Sequence, residues 1–313
     1  MIDASASPLI SVVIPTRNRW RLLRDTLGGV LRQEEVSFEV VIVDDGSEDG
    51  TYEHLAQIRD PRIRVRRNEQ GTGVARARNA GIELARGEWL AFLDDDDLWS
   101  PRKLRIQLDA LRREGSEWVL GAALVVDQDR RVVGIEPPRT VDEIPRLLLT
   151  FNAVPGGCSG VMARTSLVRQ VGCFDERLRI LADWDLWIRL STQARASVSP
   201  GIEMAYVKHA QNMTAIDLQG VVAELEVLAA KHGSIGFSPD GIWFSRWLAG
   251  SYRRSGQSRC AIRAYLDGAV RYRSLGNVVR AAGTLAGPRA MNHFARRRSV
   301  QKVAAPAWLS LYS

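Results

Sequence analysis

Cysteine is scarce: the 313 residues contain three, Cys158, Cys173 and Cys260. Thiols this few and this scattered exclude a disulfide framework and leave no paired cysteines for a structural zinc. An odd number of free thiols fits a reducing compartment, and the chain reads as cytosolic. No uninterrupted apolar run approaches ~18 residues, so no transmembrane helix is expected. Residues 1–5 (MIDAS) lack the basic and apolar regions of a secretory leader. Apolar residues are not in short supply, at 45%, and the net charge is only +7, which excludes disorder as a global description. The length suits one large or two small domains at roughly 150 residues each. Acids, however, nearly vanish from the C-terminal end. From Gly241 onward 13 Lys and Arg face one acid, Asp267, whereas the preceding residues carry 30 basic against 35 acidic side chains. An acidic body is followed by a basic tail.

The first 115 residues alternate between strand and helix patterns. Residues 9–14 (LISVVI) and 38–43 (FEVVIV) are continuous apolar runs, the pattern of strands covered on both faces. Shorter strands are expected at 62–65 and 88–93. Between them, residues 20–31, 45–59 and 74–86 read as helices, and a fourth helix follows Pro101. Four such cycles predict an α/β fold, a mostly parallel Rossmann-like sheet with helices on both faces. Residues 118–126 and 132–135 read as further strands and 184–190 as a helix; beyond about 217 the chain reads as helical.

Ligands of such sheets bind beyond the carboxyl ends of the strands. Three strands end in polar segments, Pro15-Thr16-Arg17-Asn18, Asp44-Asp45-Gly46-Ser47 and Asp94-Asp95-Asp96-Asp97, so all three should gather on one rim. Capping the next helix needs one carboxylate, not four. Four adjacent aspartates repel one another, and an oxygen-only donor set of this density suits Mg2+ or Mn2+. The second turn, taken alone, reads as a strand-to-helix turn with glycine in a left-handed position; beside the first it supplies acceptors for a base or ribose. Gly71-Thr72-Gly73 does not open a dinucleotide-binding loop, because Arg76 stands where the third glycine belongs. Arg76 and Arg78 follow, and arginine is a natural partner for a diphosphate.

Taken together, residues 12–19 (VVIPTRNR), 43–47 (VDDGS), 77–89 (ARNAGIELARGEW) and 92–97 (FLDDDD) resemble, in order, the family 2 glycosyltransferases of the GT-A fold. The resemblance extends from about Leu9 to Thr214. It implies that Pro15, Thr16 and Arg17 line a nucleotide pocket, that Asp44 accepts from the base with Asp45 beside it, and that Arg78 approaches the nucleotide or its phosphates. Asp94, Asp95 and Asp96 match the family's Asp-X-Asp element, with Asp95 near the ribose, Asp96 as the metal ligand and Asp97 behind them. Asp183 aligns with the catalytic base, next to Ala182 where the family usually has Glu. Asp185 is the rival, with an ion pair to Arg189 at i+4 as its structural alternative. His209, in a segment similar to the family's Tyr-x-x-His-x-x-Asn-x-Ser/Thr, is either structural or near the diphosphate and metal.

The implied organisation is a transferase domain over residues 1–216, its nucleotide half at about 9–115 and its acceptor half at about 116–216. A basic helical extension covers 217–313. The implied activity is inverting transfer of a sugar from a nucleotide-sugar donor, commonly a UDP-sugar, to a glycan or lipid-linked acceptor, with Mg2+ or Mn2+. A sugar-phosphate nucleotidyltransferase is an alternative, although residues 15–18 lack its phosphate-cradling loop. A non-catalytic binding module is another. For the basic tail, including Arg296-Arg297-Arg298, peripheral contact with an anionic membrane at its cytoplasmic face is expected in preference to nucleic acid.

Overall fold

The structure, a computed structural model, describes residues 7–209, 218–233, 242–254, 256–286 and 305–312. These fall into two compact units. The first comprises the described residues up to Lys208 together with the C-terminal segment, and the second lies between His209 and Val303.

The first unit is built on one nine-stranded sheet. Strands β1 (Ile10–Thr16), β2 (Phe38–Asp44) and β4 (Trp89–Phe92) are buried along their whole length, as their unbroken apolar runs require. Together with β3 (Ile63–Arg67) they form the order β3-β2-β1-β4, every ladder parallel. Helices α1 (Trp20–Leu31), α2 (Thr51–Ala56) and α3 (Val74–Leu84) make the connections, α3 lying on β1 and β2. Register sets Thr16 opposite Asp44 and Asp44 opposite Arg67, so the strands end on a common rim.

At the other end of these strands one acid interrupts the apolar run. Glu39 on β2 is buried opposite Ser11 of β1 and accepts from Ser11 Oγ at 2.7 Å, from the backbone N–H of Arg86 at 2.8 Å and from Arg86 Nη2 at 2.8 Å. Burial pushes its pKa up, but the bonds from Arg86 and Ser11 outweigh that and hold it below the ordinary carboxylate value. This knot ties β1 and β2 to the turn that follows α3.

The remaining strands mix directions. After β5 (Leu98–Trp99) and α4 (Lys103–Glu114) come β6 (Trp118–Val126) and β7 (Val132–Glu136), an antiparallel pair. A tight turn in which Asp127 and Arg131 bond to each other leaves no room for the crossover that parallel pairing needs. Then follow α5 (Ile144–Leu148), β8 (Met162–Arg164), α6 (Thr165–Gln170), α7 (Ala182–Gln193) and β9 (Ala196–Val207). β8 runs antiparallel to β4 and β6, β9 parallel to β6, and β5 antiparallel to β9. Parallel pairing thus dominates the first half of the sheet, and the second half is mixed.

The C-terminal turn Ala307–Tyr312 belongs to the same unit. Leu309 is buried with Leu98, Leu124, Val126, Ala205 and Val207, Trp308 Nε1 donates to the carbonyl of Ile202 at 3.0 Å, and the Tyr312 hydroxyl donates to the carbonyl of Trp99 at 2.6 Å. Residue 29 of α1 must be glycine here, because a side-chain carbon would overlap the Tyr312 hydroxyl.

The second unit is helical: α8 (Leu218–His232), α9 (Ile242–Arg254), α10 (Ser258–Arg271) and α11 (Leu275–Leu285). Ala249, Tyr265 and Ala281 form a small core, and Arg246 Nε bonds Asn277 Oδ1 at 2.8 Å. No helix among the described residues is long and apolar enough to cross a membrane. The Arg296-Arg297-Arg298 run lies outside the described residues.

Candidate active site

The three polar strand ends do meet. Beyond β1, Asn18 adopts a left-handed backbone (φ 55°), which asparagine tolerates better than most residues. Its N–H donates to Ser47 Oγ at 2.8 Å and its Oδ1 accepts from the N–H of Glu48 at 2.7 Å, binding the first loop to the second. Gly46 turns the second loop with φ 73°, and a side-chain carbon there would lie 2.8 Å from the backbone of Gln70. Asp45 accepts from Asn68 Nδ2, from the N–H and hydroxyl of Thr72 and from the N–H of Gly73, at 2.7–2.9 Å. Burial works against its charge, but these donors prevail and lower its pKa. Asp45 therefore anchors the 68–73 loop. Asp44, fully buried, keeps its Oδ1 without a hydrogen bond among the described residues. An orphaned buried acceptor is costly, and it suits a ligand N–H. Pro15 and Thr16 are buried beside it; Arg17 is exposed and lies against Gly71.

The four aspartates follow β4 and divide their work. Asp95 Oδ2 accepts from Thr16 Oγ1 at 2.7 Å. A single nitrogen, Arg19 Nη1, bridges Asp95 Oδ1 at 3.1 Å and Asp96 Oδ2 at 2.9 Å. Burial first, and then the charge of Asp96, push the Asp95 pKa up to about 7 against the opposing pull of Arg19 and Thr16. Asp97 is turned inward. It accepts from Ser159 Oγ at 2.6 Å and from the N–H of Val207 at 3.0 Å, while Ser159 Oγ also accepts from the N–H of Asp94 at 3.0 Å. Asp97 and Ser159 thus fix the acidic turn to the end of β9 and to the loop before β8. Burial and the neighbouring carboxylates push the Asp97 pKa well up.

Asp94 faces the other half of the site. Arg78 of α3 donates to Asp94 Oδ1 at 2.5 Å and sits 5.3 Å from the centre of the Phe174 ring, with its Nε buried and without a hydrogen bond among the described residues. Burial opposes the charge of Arg78, and Cys158, Asp94 and Asp183 favour it; the balance raises its pKa. Asp183, in the first turn of α7, accepts from Asn152 Nδ2 at 3.2 Å and from the N–H of Trp184 at 2.7 Å. Burial raises its pKa, Arg78 pulling the other way. Asp185 is fully buried and paired with Arg189 at 2.7 Å, the i+4 ion pair open to it in the sequence. Arg189 also donates to the carbonyls of Val171 and Cys173. Asp185 serves the packing of α7, and Asp183 is the half-buried carboxylate next to Arg78.

Of the residues singled out in the sequence, Thr16, Asp44, Asp45, Arg78, Asp94, Asp95, Asp96 and Asp183 are joined through these contacts or lie beside them. His209 falls just beyond β9, at the start of the second unit, and the rest of its segment, from residue 210, lies outside the described residues. Arg19, Ser159 and Asn152 escaped sequence reasoning. Arg19 stands in a stretch that also holds Arg17, Arg21 and Arg24, and nothing in the sequence singles it out among them.

Among the described residues no group of three or more His, Cys, Asp or Glu side chains could hold a metal ion by itself. The donor set still fits a hard divalent cation. Asp95 and Asp96 converge on one cationic nitrogen with oxygen atoms alone, and Mg2+ commonly takes one or two carboxylates and completes its shell with phosphates and water.

Comparison with known proteins agrees with this architecture. The profile of the family described as "Glycosyl transferase family 2" matches residues 11–170. The succinoglycan biosynthesis protein ExoO of Rhizobium meliloti is 32% identical over 210 residues, which cover 64% of this chain and 60% of that protein. The UDP-Glc:alpha-D-GlcNAc-diphosphoundecaprenol beta-1,3-glucosyltransferase WfgD of Escherichia coli is 29% identical over 133 residues, 42% of this chain and 53% of that protein. The chain thus spans less than two thirds of the length of these curated relatives. Among solved structures, S. aureus TarS 1-349 in complex with UDP-GlcNAc superimposes with a TM-score of 0.59 at 21% identity, over 84% of this chain and 81% of that one, a likeness of fold.

Proposed function

Because this chain belongs to glycosyl transferase family 2, we propose that it is an inverting glycosyltransferase. It moves a sugar from a nucleotide diphosphate sugar, a UDP-sugar, to an acceptor hydroxyl in the synthesis of a surface polysaccharide. The observation that carries this reading is the linkage of acids across the cleft: Arg78 joins Asp94 of the acidic turn and feels the charge of Asp183 on α7. The printed names of two relatives add support, WfgD for a UDP-sugar donor and a diphosphate-lipid acceptor, and ExoO for a polysaccharide product.

In this reading the orphaned Oδ1 of Asp44 accepts from the base N–H, Pro15, Thr16 and Arg17 flank the nucleotide, and Asp95 meets the ribose. Asp45 keeps the loop at 68–73 in place for the nucleotide. Asp96, with Asp95 beside it, would hold Mg2+ or Mn2+, which supplies charge neutralisation to the departing diphosphate. Arg78 lends positive charge to the same side. Asp183 takes the proton of the acceptor hydroxyl as its oxygen attacks the anomeric carbon; the bond from that carbon to the diphosphate breaks on the opposite face, and the configuration inverts. A carboxylate held above its ordinary pKa by burial, with Arg78 offsetting only part of that rise, is a stronger base once deprotonated than a free one.

The test is thermal stabilisation by nucleoside diphosphates with and without Mn2+. The intact chain is expected to gain stability from UDP in a Mn2+-dependent way, and Asp96→Ala to lose the Mn2+ dependence. Unchanged metal-dependent UDP stabilisation in Asp96→Ala would sink this assignment. Release of pyrophosphate from a nucleoside triphosphate and a sugar phosphate would favour a nucleotidyltransferase instead.

The basic region at 217–313 is assigned to peripheral docking on the cytoplasmic face of an anionic membrane, where a lipid-linked acceptor would be found. Its support is the exposure of Val270, Leu275 and Leu285, each at least 79% accessible, on helices that also carry Arg263, Arg271 and Arg280. Vesicles containing anionic lipid should carry the chain in flotation and neutral vesicles should not.

A further inference from the structure

The four aspartates raise a question that their pairing with Arg19 answers. In the structure one guanidinium nitrogen takes the position of a shared cation, 3.1 Å from Asp95 and 2.9 Å from Asp96. Arg19 is placed there by its own element: it is the residue before α1, its carbonyl accepts from the N–H groups of Leu22 and Leu23, and Asn18 pins the loop to Ser47 and Glu48. Its side chain is 22% exposed, against 7% for each of the two carboxylates, so it is the more accessible member of the group. A guanidinium and a divalent metal cannot occupy the same carboxylate oxygens. A guanidinium is also the side chain best shaped for a diphosphate, which it meets through two parallel hydrogen bonds.

We propose that Arg19 is a built-in counter-cation of the acidic turn that couples metal entry to donor entry. Without nucleotide it neutralises Asp95 and Asp96 and competes with Mg2+ or Mn2+; when a nucleoside diphosphate arrives, it turns to the phosphates and releases the carboxylates to the metal. Metal and nucleotide then promote each other's binding, and the coupling is reciprocal by thermodynamic necessity. The inference rests on the nucleotide-sugar reading for its second half, but its first half, competition between Arg19 and a cation, does not.

The experiment measures Mn2+ binding, by loss of the free-ion paramagnetic resonance signal, to the full chain and to Arg19→Gln and Arg19→Lys. Each is measured with and without UDP, with thermal melting to verify folding. The intact chain should bind Mn2+ weakly alone and about 5- to 150-fold more tightly with UDP, the usual range of such couplings. Arg19→Gln should bind Mn2+ alone more tightly than the intact chain and gain less from UDP. Arg19→Lys, which keeps the charge but loses the fork, should fall between them. A folded Arg19→Gln that binds Mn2+ alone no better than the intact chain would overturn the proposal, as would an undiminished UDP effect in that variant. Failure of UDP to bind the intact chain would instead count against the nucleotide-sugar reading, and the Mn2+-alone comparison would still decide the competition.

Discussion

In the proposed mechanism Asp183 must be charged when the acceptor arrives, and its burial, which raises its pKa, works against that charge. Its raised pKa sets the sign of the pH dependence: activity should fall as the pH drops through a value above the ordinary carboxylate range, because protonated Asp183 cannot act as base. The pH profile of kcat/KM checks this, and Asp183→Asn should cost about 10²- to 10⁴-fold in transfer while UDP binding is kept. Asp185→Asn is a different experiment, since that carboxylate is spent on Arg189. It should weaken the packing of α7 and lower Tm, with transfer reduced only as far as the fold is. The resemblance offers two candidates for the base, two positions apart in one helix, and their three-dimensional partners differ, Asn152 for Asp183 and Arg189 for Asp185. Arg19 was invisible for a similar reason, because its partners lie 76 and 77 residues away.

Among the elements, the strands that could be read in advance are those whose two faces are both covered. β1, β2 and β4 announce themselves as largely apolar runs, and Glu39 near the start of β2 marks a place where a charge had to be compensated. Glu39→Ala would leave the hydroxyl of Ser11 without its acceptor and the backbone N–H of Arg86 with only its longer bond to Ser11 Oγ, a loss of about 1–3 kcal/mol in chemical denaturation. The same group fixes a pH effect. Its pKa is lowered in the fold, so its contribution is complete above the unfolded value near 4.5 and is lost as the pH falls through the lower folded value. By contrast, β9 was not anticipated. Pro200 and Gly201 sit in its middle and read as a turn; the strand absorbs them where its register with β6 shifts twice, between Leu120 and Ala122 and between Ala122 and Ala123. β5 and β8, of two and three residues, carry too little pattern to be recognised, and they exist because neighbouring strands offer them hydrogen bonds. The parallel half of the sheet was therefore legible, and in the mixed half β6 and β7 were legible as strands while β5, β8 and β9 were not.

At the scale of the molecule, the first unit is assembled from the two ends of the chain. Leu309→Ala should cost about 2–5 kcal/mol, the range for an aliphatic side chain removed from a core, and Tyr312→Phe about 1 kcal/mol for its bond to Trp99, both read as shifts in thermal unfolding. The effect of Tyr312→Phe should reach the rim, because Trp99 Nε1 donates to the carbonyl of Ser159, whose hydroxyl holds Asp97. This arrangement bears on how the protein is made. On the ribosome β9 emerges about a hundred residues before the turn that packs on it, so Leu98, Ala205 and Val207 stay without that cover until residues 307–312 have been made. Chaperone dependence during translation is built into a chain whose first unit is closed by a turn made about a hundred residues after its last strand.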